Sequence, residues 1–400
     1  MWAESSLGDY VRVEHGFAFK GECFSQAGKY VVLTPGNFYE VGGFRARPGK
    51  DRFYAATFPD RYLLSKGDLI VAMTEQGEGL LGSAALIPES FMYLHNQRLG
   101  LVKEKSQVAD RRFLYYLFNT DAVRQQIRNS SSGAKVRHTS PERIYGVKVR
   151  VPPRVAQQKI GVLLSAYDEL IENNHRRIAL LEKMAEEIYR EWFVRLRFPG
   201  HEKVKVVKGV PEGWRDQKFG QFCQLQRGFD LTDADVEPGP YPVIASTSIK
   251  TYHNQYKVEP PVITTGRSGS LGEVLFVNTR AWPHNTALYV KNFFGNSAFL
   301  VYYTLKNMRL ENFNAGAGVP TLNRNHLNGI PIIVPSKEIQ DQFDGVVSKL
   351  HEQAELLRNA NQKLTATRDV LLPRLISGKL SVENIDIQFP PSMEETAHEI

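Results

Sequence analysis

Four cations crowd one short segment, Gly43-Phe44-Arg45-Ala46-Arg47-Pro48-Gly49-Lys50-Asp51-Arg52, where glycine and proline rule out a helix and aromatic residues stand on both sides. Arg45, Arg47, Lys50 and Arg52 suit anionic oxygens, and a planar guanidinium also matches the O6/N7 edge of guanine. The alternative is a solvated charged loop. A nucleotide phosphate loop is excluded, because neither the glycine spacing nor a Ser/Thr after Lys50 fits. The run Gly77-Glu78-Gly79-Leu80-Leu81-Gly82 formally fits GxGxxG, yet no long helix and no acidic strand end follow at nucleotide-fold spacing. It reads better as a glycine-rich turn between two strands, since glycine admits positive φ and close backbone approach.

If these loops touch nucleic acid, Gln76 in the first glycine turn, and Arg267 and Ser268 in the similar run Arg267-Ser268-Gly269-Ser270-Leu271-Gly272, stand where such a turn projects side chains. Two further loops, 130–138 and 312–323, are small and polar ahead of a returning strand. They bring Lys135 and Arg137 in one case and Asn323 followed by Arg324 in the other, and Arg227 joins the set of candidate DNA contacts. Their shared glycine can equally mark a turn demanded by the fold alone. His95-Asn96 and His284-Asn285 carry no matched nucleophile or carboxylate cluster, so a buried, hydrogen-bonded pair is the better reading. There is no GxxxxGK[ST], no Asn/Asp-Pro-Pro-aromatic tetrad and no HExxH, hence no catalytic or metal-binding constellation.

What must position these loops is a repeated frame. Gly133-Ala134-Lys135-Val136 to Val151-Pro152 returns as Gly316-Ala317-Gly318-Val319 to Val334-Pro335, an offset of 316 − 133 = 183. Gln157-Gln158-Lys159-Ile160 overlays Gln340-Asp341-Gln342-Phe343 at the same offset. Upstream, His15-Gly16-Phe17 pairs with Arg227-Gly228-Phe229 at 212, and His95-Asn96 with His284-Asn285 at 189, so the second copy is shorter in its middle. Short strands are expected at 30–33, 68–72, 262–265 and 272–277, with short helices opening at Phe113 and Leu300. The modules are therefore α+β.

Each module leads into a long helix. Ile160, Leu164, Tyr167, Ile171, Asn174, Ile178, Leu181, Ala185, Ile188 and Trp192 alternate steps of four and three, as do Phe343, Val347, Leu350, Ala354, Leu357, Asn361, Leu364, Arg368 and Leu371. That is the seam of a coiled coil, in helices of about 33–38 residues or roughly 50–57 Å. The obvious partner of each is the other, running antiparallel, with the modules related by a pseudo-twofold axis. Separate surface helices or an intermolecular coil are the alternatives. The expected division is module 1 at 1–155, a central helix at 156–197, module 2 at 198–335, a second helix at 336–376 and an exposed tail at 377–400.

Charge follows this division. The net +7 of the 400 residues splits into +7 over 1–155 (22 Lys and Arg against 15 Asp and Glu) and −1 over 156–195 (6 against 7). The rest gives +5 over 196–335 (15 against 10) and −4 over 336–400 (7 against 11). Basicity placed on the modules and withheld from the helices is what a polyanion partner requires. Only Cys23 and Cys223 occur, at unmatched repeat positions and without metal-ligand spacing, and no run of about 18 apolar residues appears. No membrane association is expected, and the expected compartment is the cytoplasm.

Glu191-Trp192-Phe193-Val194-Arg195-Leu196-Arg197-Phe198-Pro199-Gly200-His201-Glu202 closes the first long helix, and Leu371-Leu372-Pro373-Arg374-Leu375-Ile376-Ser377-Gly378-Lys379-Leu380 closes the second. With Val-Pro and a Gln-containing helix start in both copies, the chain resembles, over nearly its whole length, the specificity subunit of type I restriction-modification systems. The resemblance implies a non-catalytic subunit with two target recognition domains on two spacer helices. It also implies assembly on double-stranded DNA with two methyltransferase subunits, forming an adenine-N6 methylase, and with endonuclease/translocase subunits. S-adenosylmethionine, magnesium and ATP would belong to those partners. The base-contacting residues of the family do not carry over, so the contacts named above rest on loop chemistry. A stand-alone or fused DNA-modification enzyme, and a coiled-coil scaffold, are the competing readings.

Overall fold

The computed structural model describes residues 2–77, 79–105 and 107–387. They form two compact units, one of residues up to 173 together with those from 360 on, the other of residues 174–359. In unit 1, after a short strand Glu4–Ser6 that pairs with Lys148–Arg150, the main sheet begins with β1 (Val11–His15), where Val11 and Val13 are buried and Arg12 and Glu14 exposed, the period-two pattern of a strand with one face on a core. The unit continues through β2 (Tyr30–Val32), β3 (Phe53–Tyr54), β4 (Leu69–Ala72), β5 (Thr74–Glu75), β6 (Ala84–Leu86), β7 (Tyr93–Leu94) and β8 (Leu99–Glu104). Helices α1 (Arg111–Phe118) and α2 (Asp121–Asn129), strand β9 (Arg137–His138) and the long helix α3 (Arg154–Tyr189) follow. The main sheet has the antiparallel order β1-β8-β4-β6, while β2 pairs antiparallel with β3 and parallel with β7.

Unit 2 repeats this frame with β10 (Gln224–Arg227), β11 (Tyr241–Ala245), β12 (Ser248–His253), β13 (Val262–Gly266), β14 (Val274–Val277), β15 (Trp282–Pro283) and β16 (Ala287–Asn292). Helix α4 (Ala298–Asn307) and the first part of the long helix α5 (Lys337–Ile376), whose residues from 360 on belong to unit 1, complete it. The main sheet is β10-β16-β13-β14, again antiparallel, and β11 pairs antiparallel with β12 and parallel with β15. The strands expected near residues 30, 68, 262 and 272 all form, as do the helices at Phe113 and Leu300.

The register corrects one sequence match. Phe17 bridges Asn96 and Phe229 bridges His284, so Asn96 corresponds to His284, at 284 − 96 = 188. Pairing the two His-Asn doublets is one residue out, which in extended chain exchanges the faces. The shortening of the second copy is also located. Residues 33–52 join β2 to β3, whereas Ser246 and Thr247 alone join β11 to β12. The repeated glycines have a steric cause, since a Cβ on Gly133 would lie 2.0 Å from the Val136 carbonyl oxygen and one on Gly316 would lie 2.0 Å from that of Val319. Both loops turn too tightly for any side chain at that position.

Every residue of the expected seam is buried or half-buried: Ile160, Leu164, Ile171, Ile178 and Leu181 on α3, and Phe343, Leu350, Leu357, Leu364 and Leu371 on α5. In unit 1, Ile160 and Leu164 share a core with Leu375 and Ile376, Asp168 pairs with Arg368 at 2.5 Å, and Asn361 Nδ2 donates to the Ile171 carbonyl at 3.2 Å. Numbers rise along α3 as they fall along α5, so the two segments run in opposite directions within that unit. In unit 2, Glu182 pairs with Arg358, while Ala185 and Tyr189 pack with Phe343 and Val347. A π-turn over Arg190–Val194 ends α3 and places the Phe193 ring 4.9 Å from that of Phe343, and the Phe198 ring then packs, tilted, 4.8 Å from that of Trp214. The aromatic helix-end motif is thus core of unit 2.

The tail is exposed over most of its described length but is tethered around one buried residue. Val382 is only 2% exposed and belongs to the unit 1 core, and Lys159 Nζ donates to the carbonyls of Glu383 and Ile385 at 3.0 and 2.9 Å. Val382 and Lys159 tether this stretch to α3, while residues 379–381 and 383–386 are exposed; residues 388–400 lie outside the described residues.

Candidate nucleic-acid interface

In unit 1 the 33–52 connection folds back on a buried asparagine. Asn37 accepts from the Thr34 amide at 2.9 Å, and its backbone carbonyl accepts from the Arg45 amide at 2.8 Å. This draws Arg45, Arg47 and Lys50 around Gly36 and Ala46, where they line a concavity of about 300 Å³. The Arg45 guanidinium lies 5.8 Å from the Tyr39 ring centroid, and a Cβ on Gly36 would meet Arg47 Nη1 at 2.4 Å. Arg52 contributes its carbonyl to Val32 at 2.9 Å and leaves its side chain exposed. Among the described residues none of these four cations has an ion-pair partner.

The glycine turn is held from inside. Glu75, 3% exposed, turns its carboxylate into the loop, where Oε2 accepts the amides of Gly79, Leu80 and Leu81 at 3.2, 3.0 and 2.8 Å. The Arg124 guanidinium donates to the carbonyls of Glu40 and Gly79, tying two loops to α2. Strand β9 pairs with β5, Arg137 opposite Glu75, which brings Arg137 and the exposed Lys135 beside the exposed Gln76. Arg143 Nη1 braces this second loop through Ser132 Oγ at 2.8 Å.

In unit 2, Arg227 pairs with Asp230 at 2.7 Å, and Asp230 also accepts from Asn285 Nδ2. That amide, and then Arg227, hold the Asp230 carboxyl below the usual range. Arg267 Nη1 donates to the Asn285 carbonyl at 3.1 Å, so Arg227 and Arg267 meet at one end of the main sheet. Ser268 bridges Thr321 of the 312–323 loop and accepts from Ser246 Oγ at 2.7 Å. Asn323 and Arg324 are engaged locally: Asn323 Oδ1 caps the short helix Arg324–Asn328 through the Asn325 amide at 3.0 Å, and Arg324 Nη1 donates to the Leu225 carbonyl at 3.2 Å.

His95 is 1% exposed, donates from Nε2 to the Leu99 carbonyl at 2.9 Å, and is pushed down to about 4 by burial. Such a ring is a neutral core group. A concavity of about 1910 Å³ in unit 1 borders both loops, reaching Tyr39, Glu40 and Gly79, and mixes Arg124, Arg128 and Lys148 with Asp121, Asp168 and Asp369. No cluster of His, Cys, Asp or Glu among the described residues could hold a metal ion, and no described helix is long and apolar enough to cross a membrane. Sequence reasoning missed Glu75 and Arg124, because a single inward-facing charge on a two-residue strand or a short helix carries no periodic signal.

Comparison with known proteins agrees with this arrangement. The family model described as the type I restriction modification DNA specificity domain matches residues 1–183 and 211–366. The type I restriction enzyme MjaIX specificity subunit of Methanocaldococcus jannaschii is 25% identical over 305 residues, 68% of this chain and 70% of its own length. The HindI specificity subunit of Haemophilus influenzae is 22% identical, with 95% and 99% covered. Among solved structures, the type I restriction-modification S subunit from M. genitalium superposes with a TM-score of 0.59 at 16% identity over 94% of this chain and 96% of that one, a likeness of fold.

Proposed function

The chain belongs to the type I restriction-modification DNA specificity family, and from that premise we propose that it reads an asymmetric bipartite DNA target, one half-site per module, and directs adenine methylation and restriction by partner subunits. The observation that carries this reading is the repeated frame. Two main sheets share one strand order, yet at matching places they present different loops: Arg45, Arg47 and Lys50 on a 33–52 connection in one, a two-residue turn in the other. A common scaffold with divergent loops suits two independent readers.

The partners are two methyltransferase subunits and the endonuclease/translocase subunits, which supply S-adenosylmethionine, magnesium and ATP; the chain itself does no chemistry. Residues 1–155 and 198–335 are the reading domains, and the helices between and after them are spacers packed as an antiparallel coiled coil with pseudo-twofold symmetry. Support comes from the opposed α3 and α5 segments within unit 1 and from the buried Asn174 and Asn361, residues that set register in such seams. Sequencing the methylated adenines of a host that expresses the chain with its methyltransferase tests the reading. The expected product is a single motif of two short specific runs around an unread gap, with one methylated adenine on each strand. A contiguous motif, or none, would refute it.

A further inference from the structure

Resting on that DNA reading, we infer that the concavity formed by Gly36, Arg45, Arg47 and Lys50 is a clamp for backbone phosphodiesters, and that it makes the two modules hold DNA unequally, module 1 mainly through charge.

Three observations converge. First, the clamp occupies the 33–52 connection, which in unit 2 shrinks to Ser246 and Thr247, so the second module has no counterpart. Second, its cations are unneutralised among the described residues, whereas three cations near the matching end of unit 2 are spent on neighbours. Lys250 pairs with Asp233 at 2.5 Å, Arg280 with Glu259 at 3.0 Å, and Arg227 with Asp230 at 2.7 Å. Salt-bridged cations release few counterions when a phosphate arrives, while free ones release about 0.9 each. Third, the site is concave and shaped from within. The absent side chain of Gly36 leaves the space Arg47 Nη1 fills, and Asn37 fixes the Arg45 backbone. Two planar guanidinium groups and an ammonium around one hollow match the tetrahedral oxygens of a phosphodiester, which a flat base edge does not engage from three sides.

The experiment titrates the full chain with a labelled 30-base-pair duplex at a series of salt concentrations between 50 and 200 mM, using matched and unrelated sequences. R45Q/R47Q should lower the slope of log affinity against log salt by about two, shrinking the affinity lost across that range by roughly tenfold, equally for every sequence. R45K/R47K, which keeps the charge, should restore the slope. K250Q/R280Q removes the same charge from module 2 and should change the slope by less than one. Thermal melts of all variants check folding. Equal slope changes from both glutamine pairs, or a change of sequence preference with the slope intact, would overturn the clamp. Wild-type binding that ignores salt would instead overturn the DNA reading beneath it.

Discussion

Gln157 Nε2 donates to the Pro152 carbonyl at 2.8 Å, and its Oε1 accepts the Asp110 amide at 2.9 Å. Gln340 repeats the arrangement with Pro335 at 3.1 Å and the Ser297 amide at 2.8 Å. Both side chains are fully enclosed, and Asp110 and Ser297 are the N-caps of α1 and α4. One amide in each copy therefore locks the end of the module sheet, the first short helix and the long helix together. Replacing Gln157 with Leu leaves buried backbone groups unpaired and should cost about 2–4 kcal/mol. Hydrogen exchange should show the loss in unit 1 for Q157L and in unit 2 for Q340L; a loss spread evenly over both units would argue against two separately locked modules.

Acid should weaken both units. His95 is depressed to about 4 by burial, and His351 to about 4 by burial and then by the Arg358 and Lys306 charges, while His351 Nε2 meets Tyr303 Oη at 2.8 Å. A histidine whose native value lies below its unfolded value near 6.5 binds its proton more readily when unfolded, so stability present above that pH is lost as pH falls from 6.5 towards 4. Between pH 6.5 and 5 each ring accounts for up to roughly 2 kcal/mol. Thermal melts at pH 7.5 and 5.0 measure this, and His351→Phe should flatten the decline. An unchanged decline would remove His351 from the account.

The frame was legible because it is written in residues that cannot vary without breaking a turn or a clamp. Gly133 and Gly316 stand 183 apart for the same steric reason, and Gln157 and Gln340 for the same hydrogen bonds. Seam periodicity likewise predicted which faces of α3 and α5 are covered. Less visible was the equivalence of Asn96 and His284, since the register is set by backbone bridges that ignore side-chain identity. Loop chemistry alone also did not distinguish Arg324, spent on the Leu225 carbonyl, from Arg47, which has no ion-pair partner among the described residues. The sequence of a loop states its charge but not its partners.

If the long helices set the gap between half-sites, lengthening them should lengthen it. Seven residues inserted after Leu181 and seven after Arg358 keep the Glu182–Arg358 pair intact and preserve the seam period. The added rise of about 10 Å corresponds to as many as about three base pairs at ~3.4 Å each. Methylated-motif sequencing should show a longer gap and unaltered half-sites; a folded, active variant with the original gap would mean that something else is the ruler.

The purified chain should transfer no methyl group and cut no DNA. Incubation with labelled S-adenosylmethionine and duplex DNA checks the first, and a plasmid nicking assay with magnesium and ATP the second. Robust turnover in either, without another subunit, would restore the reading as a modification enzyme.

The central claim is that two modules on one scaffold each read half of a target. Exchanging residues 1–150 for those of another family member, and sequencing the methylated adenines in a host that also carries the methyltransferase, addresses it most directly. The account predicts a motif in which one half-site is replaced while the other half-site and the gap persist. A motif that is wholly unchanged or wholly new would contradict it.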